Sequence, residues 1–196
     1  MEFALLSMVW VPLLLGTIVF GFNLLNAFQV SQLCRDSGHM YAYGVDFSQS
    51  QNATLLQTMA ANMKVNIQQN SGDGYIVFSK VTLITSADCA AAGQSGSCPN
   101  QDKYVFTNLV VFGNQTGDVQ TSLGAPNAKY FQPGSIQTSN ELNDPSLVAT
   151  KFSGLGISFV ANQPGQYAYI SEVTLHSQPI QWAQFSNTGS YARSVF

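Results

Sequence analysis

Residues 3–34 form an unbroken run of uncharged positions, preceded by the single acid Glu2 and followed by a polar chain. Within it, residues 3–22 (FALLSMVWVPLLLGTIVFGF) depart from apolar character only at Ser7, Pro12, Gly16, Thr17 and Gly21. A helix of that length rises roughly 30 Å, the thickness of a bilayer's hydrocarbon core. The run continues through NLLNAFQVSQLC, so a continuous helix to Cys34 would extend roughly 48 Å and pass the far edge of a membrane. The upper half of such a helix is expected to find cover among other helices.

Beyond the run the chain has about 160 residues, enough for one ordinary core. All seven basic residues lie there, scattered from Arg35 to Arg193. Phosphate binding requires clustered cations, so nucleic acid is not an expected partner. With 9% of residues charged, the surface relies on Ser, Thr, Asn and Gln, which suits an extracellular or assembled setting. Cys89 and Cys98 bracket the small, flexible segment CAAAGQSGSC. A bridge between them would contribute about 2–3 kcal/mol in the loop-entropy model and would place the domain outside the cytoplasm. Cys34 is expected to be a packed small hydrophobe.

A cleaved secretory signal would carry a basic leader and an apolar core of about 7–15 residues. No Lys or Arg precedes Arg35 and the apolar run is longer, so an anchor is expected. Orientation comes from the disulfide, with the N-terminus in the membrane or at its cytoplasmic face and the domain outside.

The anchor helix is expected to continue to about Tyr43, with Gly44 ending it. A second helix is expected from Asn52 or Thr54, carrying Leu55, Leu56, Met59, Ala60 and Met63 on one face against a sheet. From Tyr75 the apolar period changes to two. Residues 74–85 and 103–114 then read as an antiparallel hairpin, and residues 166–179 as a third strand. Segments 75–83 and 167–175 share a template (Tyr, three residues, Ser, a charged residue, Val-Thr-Leu) that suits strands rather than marking a repeat. Residues 155–160 read as a further short strand. Residues 116–155, broken by Pro126, Pro133, Gly134 and Asp144-Pro145, are expected to be a surface excursion. The aromatics of the tail, Trp182, Phe185, Tyr191 and Phe196, are expected to cover the sheet or meet another subunit.

The common catalytic and nucleotide-binding motifs are missing from the sequence. His39 and His176 are the only imidazoles, and neither has a partner at zinc-ligand spacing. Both are expected to be structural. Asn140-Glu141-Leu142-Asn143-Asp144 collects oxygen ligands without the regular acidic spacing of a calcium loop. Asn52-Ala-Thr and Asn114-Gln-Thr fit the glycosylation sequon. Glu2 stands apart, since a carboxylate deep in lipid costs about 2.5–3.5 kcal/mol and calls for a counter-charge. At the headgroups it would instead favour the helix N-terminus. Pro12 permits either a tolerated kink or a local loosening where helices pack.

Glu2-Phe3-Ala4-Leu5-Leu6, followed by Val11-Pro12-Leu13-Leu14-Leu15-Gly16, resembles the N-terminal signature of TadE-like pseudopilins, within the wider class of type IV pilin-like proteins. Ile170-Ser-Glu-Val-Thr is similar to that family's late strand. The resemblance implies an α+β fold, with a long N-terminal hydrophobic helix (residues 1–45) followed by a small exported antiparallel β-sheet domain (residues 46–196). It implies a structural subunit without catalytic residues, metal or cofactor. Such a subunit is held in a bacterial inner membrane by a single pass and then assembled with copies or related pilins into an extracellular filament. The assembly role falls on Glu2, Phe3, Leu6, Pro12, Leu13 and Phe20, with Glu2 neutralising a neighbour's terminal amine. The competing expectation is a permanently anchored binding domain whose 116–155 loops recognise a protein or glycan outside the cell. Deleting residues 1–33 is expected to release the domain in soluble form.

Overall fold

The computed structural model describes residues 2–63, 65–94, 98–115, 119–157, 159, 165–176 and 189–196, the side chains of 2–7 and 62 excepted. Helix α1 (Glu2–Ala42) runs through Pro12 without a break. It stops where the sequence predicts, because Gly44 adopts φ +85°, a left-handed conformation that costs a residue without Cβ little. There Val45 N–H donates to Met40 O and Gly44 N–H to Tyr41 O, both at 3.0 Å. This pair of bonds satisfies carbonyls that a helix end otherwise leaves unpaired.

Helix α2 (Ser50–Met59) begins slightly before the predicted start. Of its expected stripe, Leu56, Ala60 and Met63 are buried, whereas Leu55 is exposed and Met59 half-buried. The minimal hairpin β1 (Val65–Asn66) and β2 (Ser71–Gly72) leads into β3 (Gly74–Leu83). Helix α3 (Ser86–Ala91) and β4 (Tyr104–Gly113) come next, then α4 (Thr138–Asn143), β5 (Ala168–Leu175) and β6 (Ser190–Val195). The main sheet has the order β4-β3-β5-β6 and is antiparallel throughout. The predicted hairpin is thus present as β3 and β4, and the two template-sharing segments are its central neighbours, β3 and β5. The β5 strand is shorter than the predicted 166–179, whose last three residues lie outside the described ones.

Strand β6 was not legible as a strand, because Ser-Tyr-Ala-Arg-Ser-Val has no apolar alternation. The tail there extends the sheet instead of only covering it. Trp182 and Phe185 lie outside the described residues. The expected strand at 155–160 is not formed at its start, where Leu155 closes a 3₁₀ turn (Phe152–Leu155) and Gly156 turns left-handed. Ile157 and Phe159 are irregular and pack on the core; Ser158 and Val160 lie outside the described residues.

The sheet is covered on both faces. Ile76, Phe78, Val110, Phe112, Val173 and Leu175 meet α1, Phe47 and α2 on one side. Val77, Val81, Leu109, Val111 and Ile170 face the other, where Leu123, Tyr130, Leu142, Leu147 and Phe152 close over them. Residues 116–155 were expected to be a surface excursion. The structure makes their described part a core layer, because apolar residues spaced among the Pro and Gly breaks reach the sheet one short turn at a time.

Cys89 and Cys98 are bridged, with Cα atoms 5.7 Å apart. The first sits on α3, started by Thr85 and Asp88: Thr85 N–H donates to Asp88 Oδ2 at 2.8 Å, and Asp88 N–H to Thr85 Oγ1 at 3.3 Å. Such reciprocal capping satisfies two orphan donors.

Candidate functional site

Helix α1 has two halves with different surroundings. From Met8 to Phe28 its large apolar side chains point outward on every side, among them Trp10, Leu13, Leu14, Phe20, Phe22 and Leu25. The most apolar window of the helix is not covered by the rest of the chain at all. By length and composition this is a helix able to cross a membrane. Of the expected assembly residues, Leu13 and Phe20 are 62% and 70% exposed, and Pro12 is exposed on the same bare segment. Glu2, Phe3 and Leu6 lie on its first turns.

From Asn26 onward the helix acquires a buried face: Asn26, Val30, Leu33, Cys34, Ser37 and Gly38 are covered, at helical spacing. From Val30 on they rest on the chain's own sheet. Cys34 Sγ donates to Ser171 O at 3.1 Å, and the Ser37 and Ser171 hydroxyls lie 3.4 Å apart. At Gly38 a Cβ would sit 2.5 Å from the Phe196 ring and 2.9 Å from Ser171 Cβ, so the absent side chain lets the helix approach. The outer face here carries Ser31, Gln32, Arg35, Asp36 and His39, all compatible with water. The upper half therefore needs no other helices to shelter it. The sequence hides this, because the docking stripe is made largely of small and weakly polar residues.

Across the sheet from α1, β5 places a carboxylate in the core. Glu172 is 1% exposed. It accepts from Thr121 Oγ1, from Ser122 N–H at 2.9 Å and Ser122 Oγ, and from Tyr191 O–H at 2.6 Å. Arg193, its cross-strand partner, reaches Ser122 Oγ at 3.0 Å. Burial and then the bond to Glu172 push the Tyr191 phenol well above its ordinary range. This cluster ties the excursion to β5 and β6. The sequence pattern hid it by offering Glu172 as the solvent side of an alternating strand.

The remaining polar groups singled out in the sequence are engaged locally. His39 packs on Phe196 and His176 on Tyr75, at ring-centroid distances of 4.3 and 5.6 Å. The Asn140–Asp144 stretch forms most of α4 and its exit rather than a loop of outward ligands. Asp144 accepts from Tyr130 O–H at 2.6 Å and Ser146 N–H at 2.9 Å. Those bonds, the tyrosine's first, hold its carboxyl down at about 2. Among the described residues no three His, Cys, Asp or Glu side chains gather as a metal set. Asn52 and Asn114 each spend their side-chain amide on a backbone carbonyl, of Asp46 and Gly72.

No protein-family model, curated protein or solved structure matches the chain.

Proposed function

We propose that the chain is a non-enzymatic, pilin-like structural subunit, held in a bacterial inner membrane by the first half of α1 and assembled through that half into an extracellular filament. The carrying observation is the join inside α1: a segment bare and apolar on all sides continues without a hinge into a segment locked on the sheet. Lipid suits the bare half before assembly, and the same half on neighbouring copies suits it afterwards, since close packing of apolar helices replaces lipid contact at little cost. The segment carries one carboxylate, Glu2, whose charge in an apolar bundle requires a neighbouring cation. The likeness of residues 2–16 to the TadE-like signature supports the same reading. An anchored binding domain with recognition loops at 116–155 has less support, because much of that segment is occupied in the core.

Cysteine substitution tests the assembly. Cys34 is buried and Cys89 is bridged to Cys98, so Leu13→Cys or Phe20→Cys adds one accessible thiol. Oxidation in native membranes or filaments is expected to give covalent dimers from at least one of these positions, and Glu2→Ala is expected to suppress them while leaving the domain folded. A chain that stays monomeric in both variants would overturn the proposal.

A further inference from the structure

Helix α1 crosses β5 from Cys34 against Ser171 to Tyr41 against Tyr169. It therefore runs in the direction of β3, which pairs antiparallel with β5. The end of β3 at Lys80 and Thr82, with Ile84 just beyond it, is consequently the end of the domain remote from the bare helix. A cavity of about 620 Å³ opens there, lined by β3 and β4 and rimmed by α3 and α4. That volume lies within the ~300–1,000 Å³ of small-molecule sites. The floor is irregular because the β3–β4 register slips between Lys80 and Val81, and such bulges re-aim side chains.

Three groups in the cavity carry its chemistry. Tyr167 keeps 42% of its surface exposed. Lys80 Nζ sits 3.6 Å from the Tyr167 ring centroid and 5.5 Å from that of Tyr169, a cation held by aromatic faces rather than by an acid. Glu141, on α4, is half-buried, and among the described residues its carboxylate makes no hydrogen bond or ion pair. Burial raises its pKa, offset in part by Lys80. By contrast, Asp88 at the rim is already spent capping α3, and Asn108 donates to Tyr41 O–H at 3.2 Å.

We propose that this cavity binds a neutral pyranose ring. The Lys80 ammonium swings off the Tyr167 ring as the sugar's apolar face takes its place, and donates instead to a sugar hydroxyl, while adjacent hydroxyls donate to the Glu141 carboxylate. Two acids exclude an anionic sugar, and the lysine disfavours a cationic ligand. The site stands on its own geometry and does not depend on how α1 assembles.

The test uses the full chain in lipid nanodiscs, which avoids sugar-based detergents. Methyl α-mannoside, methyl β-galactoside and methyl N-acetyl-β-glucosaminide are each titrated while saturation transfer to their ring protons is recorded. At least one is expected to bind. Glu141→Ala is expected to weaken it by about tenfold or more, the loss of one charge-assisted contact, Tyr167→Ala to weaken it by removing the stacking face, and Tyr167→Phe to keep it by retaining that face. Lys80→Met supplies an independent variant should Glu141→Ala disturb α4, and is expected to weaken the same sugar. Silence from all three pyranosides at millimolar concentration would overturn the proposal, as would binding unchanged in Tyr167→Ala. So would a response confined to an oligolysine peptide, which would reassign the cavity to a cationic protein partner.

Discussion

The Glu172 carboxylate accepts hydrogen bonds from Thr121, Ser122 and Tyr191, so the donors that make its burial tolerable come from two other parts of the chain. A buried donor left without an acceptor costs about 1–3 kcal/mol, and Thr121 is the one here with little access to water. Glu172→Ala is therefore expected to lower unfolding free energy by at least about 1–3 kcal/mol in urea titration, and Glu172→Gln by less, because an amide oxygen still accepts. The same cluster has an alkaline signature. Tyr191 titrates higher in the folded state than its ordinary value of 10.0, so its neutral form contributes stability that is complete below that value and lost as pH rises above it. Tyr191→Phe should flatten the loss of stability measured above about pH 10; an unchanged alkaline limb would show that the phenol carries none of it. None of this was visible in Ile170-Ser-Glu-Val-Thr as sequence, because a strand buried on both faces puts a glutamate inside where an edge strand would put it in water.

At the scale of elements, the legible ones were those that announce themselves by period and punctuation. Helix α1 and its stop at Gly44, the β3–β4 hairpin, β5 and the cysteine bridge belong to this class. The less legible ones draw order from their neighbours. Strand β6 is specified by pairing with β5 and by α1 lying across it, and the short turns of the excursion by the sheet beneath them. The stripe by which α1 docks belongs with these, since Ser37 and Gly38 resemble breaks in a pattern until the sheet is set against them. Gly38 tests that docking. Overpacking a filled site costs about 1–3 kcal/mol, while replacing a helical glycine by alanine returns about 1 kcal/mol of propensity. Gly38→Leu is expected to lower the thermal midpoint of the nanodisc-held chain clearly, and Gly38→Ala much less. Equal midpoints for Leu and wild type would mean that α1 does not press on β5 and Phe196 as described.

For the whole molecule, the boundary that matters does not fall where the apolar run ends. Val30 and Leu33 are 1% and 3% exposed, so a chain shortened by residues 1–33 loses two core side chains, each worth about 1.5–3 kcal/mol of burial, and the first turns of the docked helix with them. Against a net stability of about 5–15 kcal/mol for an ordinary domain, that loss is severe. The burial of Val30 and Leu33 argues instead for a cut nearer the N-terminus. The cut that separates the bare half from the domain lies just before Asn26, the first buried residue of the helix. Residues 26–196 are expected to be a soluble monomer with a sharp unfolding transition, and residues 34–196 to aggregate or melt broadly. Thiol counting in denaturant without reductant should find one reactive cysteine in the longer fragment, Cys34, because Cys89 and Cys98 are joined. Three thiols in that fragment would remove the bridge, and with it the argument that the domain lies outside the cytoplasm. Equal solubility and cooperativity of the two fragments would mean that the 26–33 stretch of α1 adds nothing to the domain, and the rigid join on which the assembly proposal rests would be weakened.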